Sequence, residues 1–269
     1  MNSVFNGKAV SLDWPTRAIA RLTLTRAGEM NTLSLELLDE FEAVLDLIDK
    51  PDTRALIVTG KDRVFCCGAH LRYFAGERAH LFTPFDARDK YLSRISRLFD
   101  RLEDLHFPTI AAVNGFALGG GCELALSCDM RVLADTAKLG LPETRLGAIA
   151  GAGGVQKLIR HVGRSKAMEW ILRGSHIDAE NAEHFGLAAA VVPAEEVQTV
   201  ALNLAIELRG RAPRAIAQSK RSIYLSEDSD LRTAQHFGLE ALSMLVGGEE
   251  WNEGMRAFIE KRPPAFDQW

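Results

Sequence analysis

Ala112-Val113-Asn114-Gly115-Phe116-Ala117-Leu118-Gly119-Gly120-Gly121-Cys122-Glu123-Leu124-Ala125 is the stretch on which the reading of this chain turns. Just before it, Thr109 to Val113 forms a short apolar run stopped by Asn114-Gly115, the pattern of a buried strand. Three consecutive glycines then precede a helix-favouring Cys-Glu-Leu-Ala-Leu segment. Glycine lets a backbone approach a ligand closely, and the free N–H groups of a helix start make an anion or oxyanion site. The plainer alternative is a tight turn in which Glu123 only complements the helix dipole from the first turn. A dinucleotide fingerprint is disfavoured, since Gly119-x-Gly121 runs into Cys122-Glu123-Leu124 and Gly151-x-Gly153 into Gly154-Val155-Gln156. A Walker A lysine is absent as well.

Outward from this stretch, the first half alternates strand-like and helix-like segments. Ala18 to Thr25 carries the period-2 pattern of a half-buried strand. Leu33 to Ile48 changes period, with Leu37, Leu38, Phe41, Val44, Leu45 and Ile48 at helical spacing and Ser34 as a candidate N-cap. Arg54 to Thr59 is another apolar run, ending at Gly60. Short apolar strands separated by helices predict an α/β core covered on both faces. After Asp135 the pattern turns helical, over 153–161, 165–172, 178–185, 194–208, 213–224, 229–245 and 249–261, with Leu187 to Val192 as one further strand. This divides the chain into a core, residues 1–196, and a helical appendage, residues 197–269, of the kind that supplies lids or subunit contacts. No repeat of fixed period is visible.

Composition narrows the function classes. The 269 residues carry 32 basic and 36 acidic side chains, a formal charge of −4, which argues against a basic nucleic-acid footprint. No apolar run approaches the roughly 18 to 20 residues of a membrane span. The start, Met1-Asn2-Ser3-Val4-Phe5-Asn6-Gly7-Lys8, lacks a basic segment leading into an apolar one, so a soluble, cytoplasmic protein is expected. Cys66, Cys67, Cys122 and Cys128 match neither a CxxC nor a zinc-ribbon pattern and read as reduced thiols buried as small apolar residues, with no metal site.

Two further glycine-bordered segments fall where strands should end: Phe65-Cys66-Cys67-Gly68-Ala69-His70-Leu71, and Leu141-Pro142-Glu143 running on to Gly151-Ala152-Gly153-Gly154. Glu143 follows Pro142, where a regular helix cannot run through from the preceding residues. Glu123 and Glu143, on separate glycine-bordered turns, either face one cavity or are two solvated acids; the sequence alone leaves both open.

Taken together these segments resemble the crotonase (enoyl-CoA hydratase/isomerase) superfamily, from about Ala18 to Phe266. The match rests on Ala112 to Ala125 followed by Cys128-Asp129, on Pro142-Glu143 with Leu146-Gly147 and Gly151 to Leu158, and on Glu253-Gly254-Met255-Arg256-Ala257-Phe258-Ile259-Glu260-Lys261-Arg262. The resemblance implies an α/β fold built as a spiral of ββα units with a C-terminal helical region, assembled as a trimer or a dimer of trimers, and an acyl-CoA thioester substrate. It places the oxyanion hole at the backbone N–H groups of Ala69 and Gly120, with Glu143 as proton donor to the α-carbon and Glu123 as the base that activates water. It assigns CoA contacts to Cys67, Ala69, Leu71, Arg72, Phe258 and Lys261, with Arg72 and Lys261 at the CoA phosphates and Phe258 on the adenine across a subunit boundary. No metal or separate cofactor is implied, coenzyme A being part of the substrate.

Departures from the family pattern are Glu29, where many relatives carry a lysine that contacts phosphate, and His70, where an aspartate is common. Tyr73, Phe74, Phe82, Phe85 and Tyr91, between Leu71 and Leu98, are expected to line or lid the acyl pocket. The leading reading is an enoyl-CoA hydratase. Its rivals are an isomerase or an aryl-enoyl-CoA hydratase/lyase on the same scaffold and, from another class, a non-catalytic or RNA-binding protein of this fold.

Overall fold

The structure is a computed structural model that describes residues 4–75, 79–80 and 83–266. Its strands in chain order are β1 (Phe5–Asn6), β2 (Val10–Thr16), β3 (Ile19–Leu24), β4 (Ala55–Gly60), β5 (Val64–Cys66), β6 (Thr109–Val113), β7 (Phe116–Leu118), β8 (Met130–Ala134), β9 (Lys138–Gly140), β10 (His176–Asp178) and β11 (Ala190–Val192). The helices are α1 (Leu35–Ile48), α2 (Pro84–Ala87), α3 (Ser93–Asp104), α4 (Gly120–Leu126), α5 (Gly154–Arg173), α6 (Ala179–His184), α7 (Val197–Arg209), α8 (Pro213–Asp228), α9 (Leu231–Ser243) and α10 (Glu249–Glu260).

Two sheets share the strands. A seven-stranded sheet has the order β1-β2-β3-β4-β6-β8-β11 and a four-stranded one the order β10-β9-β7-β5. From β3 to β11 the larger sheet is parallel, with Leu56 opposite Thr109 and Ile110 opposite Met130. Its central strands are buried along their whole length, which is why they read as unbroken apolar runs rather than alternating ones. Each of β4, β6 and β8 is followed at once by a short strand of the smaller sheet, β5, β7 and β9, and these three are parallel to one another. A helix then returns the chain, so the core is a spiral of ββα units, as the resemblance implied. The units escape detection as a repeat because their return segments differ in length, long between β5 and β6 and between β9 and β11 but short between β7 and β8.

Local chemistry explains most boundaries. Ser34 caps α1, its Oγ accepting from Leu37 N at 3.2 Å. Leu33 does not join that helix: it pairs as an isolated parallel bridge with Ala69. The helices expected over 153–161 and 165–172 run together as α5, kinked at Gly163, whose φ of 76° lies outside the helical region. The expectation of a single strand after Asp135 is corrected to three, β9, β10 and β11; at three residues each they are too short to display a period. Two cations tie the C-terminal helices to the core. Arg54, just before β4, donates to the carbonyls of Arg209, Arg211 and Phe266, and buried Lys220 of α8 pairs with Asp129 at 2.9 Å.

Candidate active site

Because β5, β7 and β9 are parallel, the loops leaving their C-terminal ends converge. These loops are Cys67-Gly68-Ala69, Gly119-Gly120 at the start of α4, and Leu141-Pro142-Glu143. Together they line a cavity of about 360 Å³ that includes Ala69, Gly119, Gly120, Glu123 and Glu143. A larger cavity of about 430 Å³ lies between the core and α8. Three pairs of its charges are engaged with one another, Lys157 with Glu103, Lys220 with Asp129 and Arg160 with Glu227, and Arg211 pairs with Glu207 outside it.

Two backbone donors meet on one wall of the smaller cavity. Leu33 N donates to Gly68 O at 2.8 Å and so fixes the Gly68–Ala69 peptide plane; a trans peptide then points the Ala69 N–H the opposite way. Gly68 has φ of 82°, and a Cβ there would stand 2.7 Å from Gly120 N. Only glycine therefore suits the spot, by backbone conformation and by space alike. Gly120 opens α4, where an N–H has no partner within the helix. Among the described residues neither Ala69 N nor Gly120 N donates to a protein acceptor.

The two glutamates stand in different surroundings. Glu123, in the first turn of α4, is 4% exposed, and its Oε1 accepts from Ala152 N at 2.8 Å and Gly154 N at 2.9 Å. Burial pushes its pKa up, while those two amides pull it back toward the carboxylate. Glu143 begins the 3-10 turn Glu143–Leu146. Its carboxyl is pushed up to about 7, first by burial and further by the negative charge of Glu123. Its Oε2 is buried with no hydrogen-bond partner in the protein. Two acids in one cavity are thus separated in role, one anchored by amides and the other poised near neutrality.

The chain matches the family model described as enoyl-CoA hydratase/isomerase over residues 15–269. It belongs to the enoyl-CoA hydratase/isomerase family. A probable enoyl-CoA hydratase of Mycobacterium tuberculosis is 37% identical over 246 residues, covering 91% of this chain and 93% of that protein. The 2,3-dehydroadipyl-CoA hydratase of Escherichia coli is 36% identical over 249 residues, covering 91% and 93%. Among solved structures, an enoyl-CoA hydratase from Bacillus anthracis superposes with a TM-score of 0.91 at 36% identity, covering 97% of this chain and all of that one.

Of the residues that the resemblance to the enoyl-CoA hydratase/isomerase family singled out, Cys67, Ala69, Leu71, Gly120, Glu123 and Glu143 line the cavity. Arg72 does not; it is exposed, one residue beyond Leu71. Phe258 and Lys261 lie in and just after α10, also outside this cavity. Glu29 is paired with Arg26 at 3.9 Å, and Arg26 in turn pairs with Glu36, so the departure carries its own counter-charge.

The aromatic lining is corrected in part. Phe74 reaches the cavity, but Tyr73 and Tyr91 pack behind it against each other, Phe85 is exposed, and Phe82 lies outside the described residues. The described walls are mainly aliphatic, with Leu71, Leu92, Ile95, Leu118, Leu146 and Ile149. The amides of Ala152 and Gly154, which anchor Glu123, carry no side-chain signal; only the glycine density of 151–154 hinted at them. Among the described residues, no cluster of three or more His, Cys, Asp or Glu is placed to hold a metal, and no helix is long and apolar enough to cross a membrane.

Proposed function

We propose that this chain is an enoyl-CoA hydratase, adding water reversibly across the 2,3 double bond of an enoyl-CoA thioester to give a 3-hydroxyacyl-CoA. The observation that carries the reading is the placing of Glu123 and Glu143 on the same cavity as the unpaired amides of Ala69 and Gly120. In this reading the thioester oxygen accepts from both amides, which stabilise the enolate as charge develops; such donors are worth about 3 to 4 kcal/mol each when removed. Glu123, as carboxylate, takes a proton from water while the hydroxyl oxygen bonds to C3. The electron pair of the double bond moves into the enolate, and protonated Glu143 then delivers a proton to C2. The thioester and water are the only reactants, and the protons pass through Glu123 and Glu143. The aliphatic walls suit an apolar acyl chain.

Loss of the conjugated enoyl-thioester absorbance with crotonyl-CoA tests this directly. Glu123→Gln and Glu143→Gln should each slow the loss by about 100-fold or more while leaving the fold intact. Near-normal rates in both variants remove the pair from the mechanism. A product of unchanged mass marks isomerisation instead, since hydration adds one water.

A further inference from the structure

Behind the Ala69 amide the backbone is zipped to the segment before α1. Cys67 N donates to Met30 O at 3.0 Å and Leu33 N to Gly68 O at 2.8 Å. The next rung departs from a plain ladder. The Tyr91 hydroxyl accepts from His70 N at 2.8 Å and donates to Leu33 O. Ala69 is therefore gripped through both of its peptide planes, by Leu33 N on the Gly68 carbonyl and by Tyr91 on the His70 amide. With both planes fixed, the Ala69 N–H keeps one direction, into the cavity.

Tyr91 is delivered by a local irregularity. Residues Arg88–Leu92 form a π-helical turn between α2 and α3, a feature that often marks functional positions. Tyr91 is buried behind the loop, whereas Leu92 and Ile95 of the same helical segment line the cavity. The ring is held independently of its hydroxyl, edge-on to Tyr73 at 5.3 Å and tilted on Phe74 at 5.8 Å. Loss of the hydroxyl alone leaves the buried Leu33 carbonyl and the half-buried His70 N–H without the group that joins them. Both need partners. Drawing them together turns the Ala69–His70 peptide, and with it the donor one residue back.

The geometry points to Tyr91 as a positioning residue for the oxyanion hole, holding the Ala69 N–H on the thioester oxygen without touching substrate. This inference rests on the hydratase reading. Tyr91→Phe keeps the ring and removes the hydroxyl. Tyr224→Phe serves as a control, since Tyr224 is half-buried and its hydroxyl is likewise engaged, donating to Asp129 at 2.9 Å, but it borders the other cavity.

With crotonyl-CoA, Tyr91→Phe should lower kcat by about ten- to 100-fold with KM within about twofold, because misaligned reacting groups cost rate more than binding. Tyr224→Phe should keep kcat. In the infrared, bound butyryl-CoA labelled with 13C at the thioester carbonyl should show a downshifted band in the unmodified protein and a smaller downshift in Tyr91→Phe. An unchanged kcat in Tyr91→Phe beside an impaired Glu143→Gln overturns the proposal and leaves the hydratase reading standing. If the unmodified protein does not hydrate crotonyl-CoA, that reading fails, and the carbonyl band still decides: equal downshifts in the two proteins, or none in either, overturn the role of Tyr91. Equal loss of kcat in the Tyr91 and Tyr224 variants also overturns it, because it assigns both hydroxyls to general stability.

Discussion

Glu143 is the residue whose environment does most to set the chemistry, and its protonation gives two measurable consequences. Burial and the neighbouring charge of Glu123 push its carboxyl up to about 7. In the proposed hydration Glu143 must carry its proton, so kcat/KM should fall as pH rises above about 7. Dehydration of the 3-hydroxyacyl-CoA starts with that one proton on Glu123 and Glu143 unprotonated, the same total protonation of the pair, and water addition takes up no net proton, so kcat/KM for dehydration should fall over the same range. Initial rates in both directions across one set of buffers check this, and a kcat/KM that stays level from about pH 7 to about pH 9 would contradict the assignment of Glu143 as the proton donor. The second consequence concerns stability. The folded chain holds the proton more tightly than the unfolded chain does, so the stabilisation is full below the ordinary carboxyl pKa and is lost as pH rises through about 7. Glu143→Gln should accordingly melt above the unmodified protein near pH 8, with the gap shrinking toward pH 5. Thermal unfolding of both proteins at the two pH values measures it.

At the level of elements, the site is made by three equivalent corners, the C-terminal ends of β5, β7 and β9, pressed together where α4 begins. A Cβ at Gly121 would stand 1.8 Å from the Cys66 carbonyl oxygen, which is backbone at the end of β5 and cannot swing aside. Gly121→Ala should therefore part α4 from β5 and destabilise the fold by about 3 kcal/mol, roughly 6 to 12 °C in Tm for a chain of this length. Gly28→Ala, with nothing within 4 Å of the added methyl, should leave Tm unchanged. The strand, glycine run and helix from Thr109 to Leu126 were legible because glycine and apolar residues there have few other uses, and Ser34 was legible because a cap has a side-chain signature. The pairing of Leu33 with Ala69 was not, since it joins backbone to backbone across 36 residues of sequence. The same holds for Tyr91: its aromatic ring suggested the acyl pocket, and only the π turn behind the loop decides where its hydroxyl goes. That Glu123 and Glu143 share a cavity depends on β7 and β9 being neighbours, and each is only three residues long.

For the whole molecule, the C-terminal helices pose a question of completeness. Phe258 is 83% exposed and Ile259 is 78% exposed, on a helix that carries the residues expected to meet CoA. Neither Phe258 nor Lys261 lines the cleft of its own chain, and the carbonyl of Phe266, eight residues after Phe258, is held by Arg54 just before β4. Exposed apolar surface of this kind is normally covered by a partner, and the family resemblance implies that a second copy of the chain covers it, with Phe258 and Lys261 at a neighbour's cleft. Light scattering at micromolar concentration should give three or six times the 29.6 kDa chain mass. Lys261→Ala should raise KM for crotonyl-CoA by about tenfold with kcat held, as loss of a uniform binding contact does. The decisive arrangement mixes Lys261→Ala chains with an excess of Glu143→Gln chains. Active clefts then belong to the Lys261→Ala chains, and most receive an intact Lys261 from a neighbour, so KM should return toward that of the unmodified protein. If KM stays raised in the mixture, Lys261 acts within its own chain and the helices must close over their own cleft; a monomer in light scattering would exclude the shared site altogether.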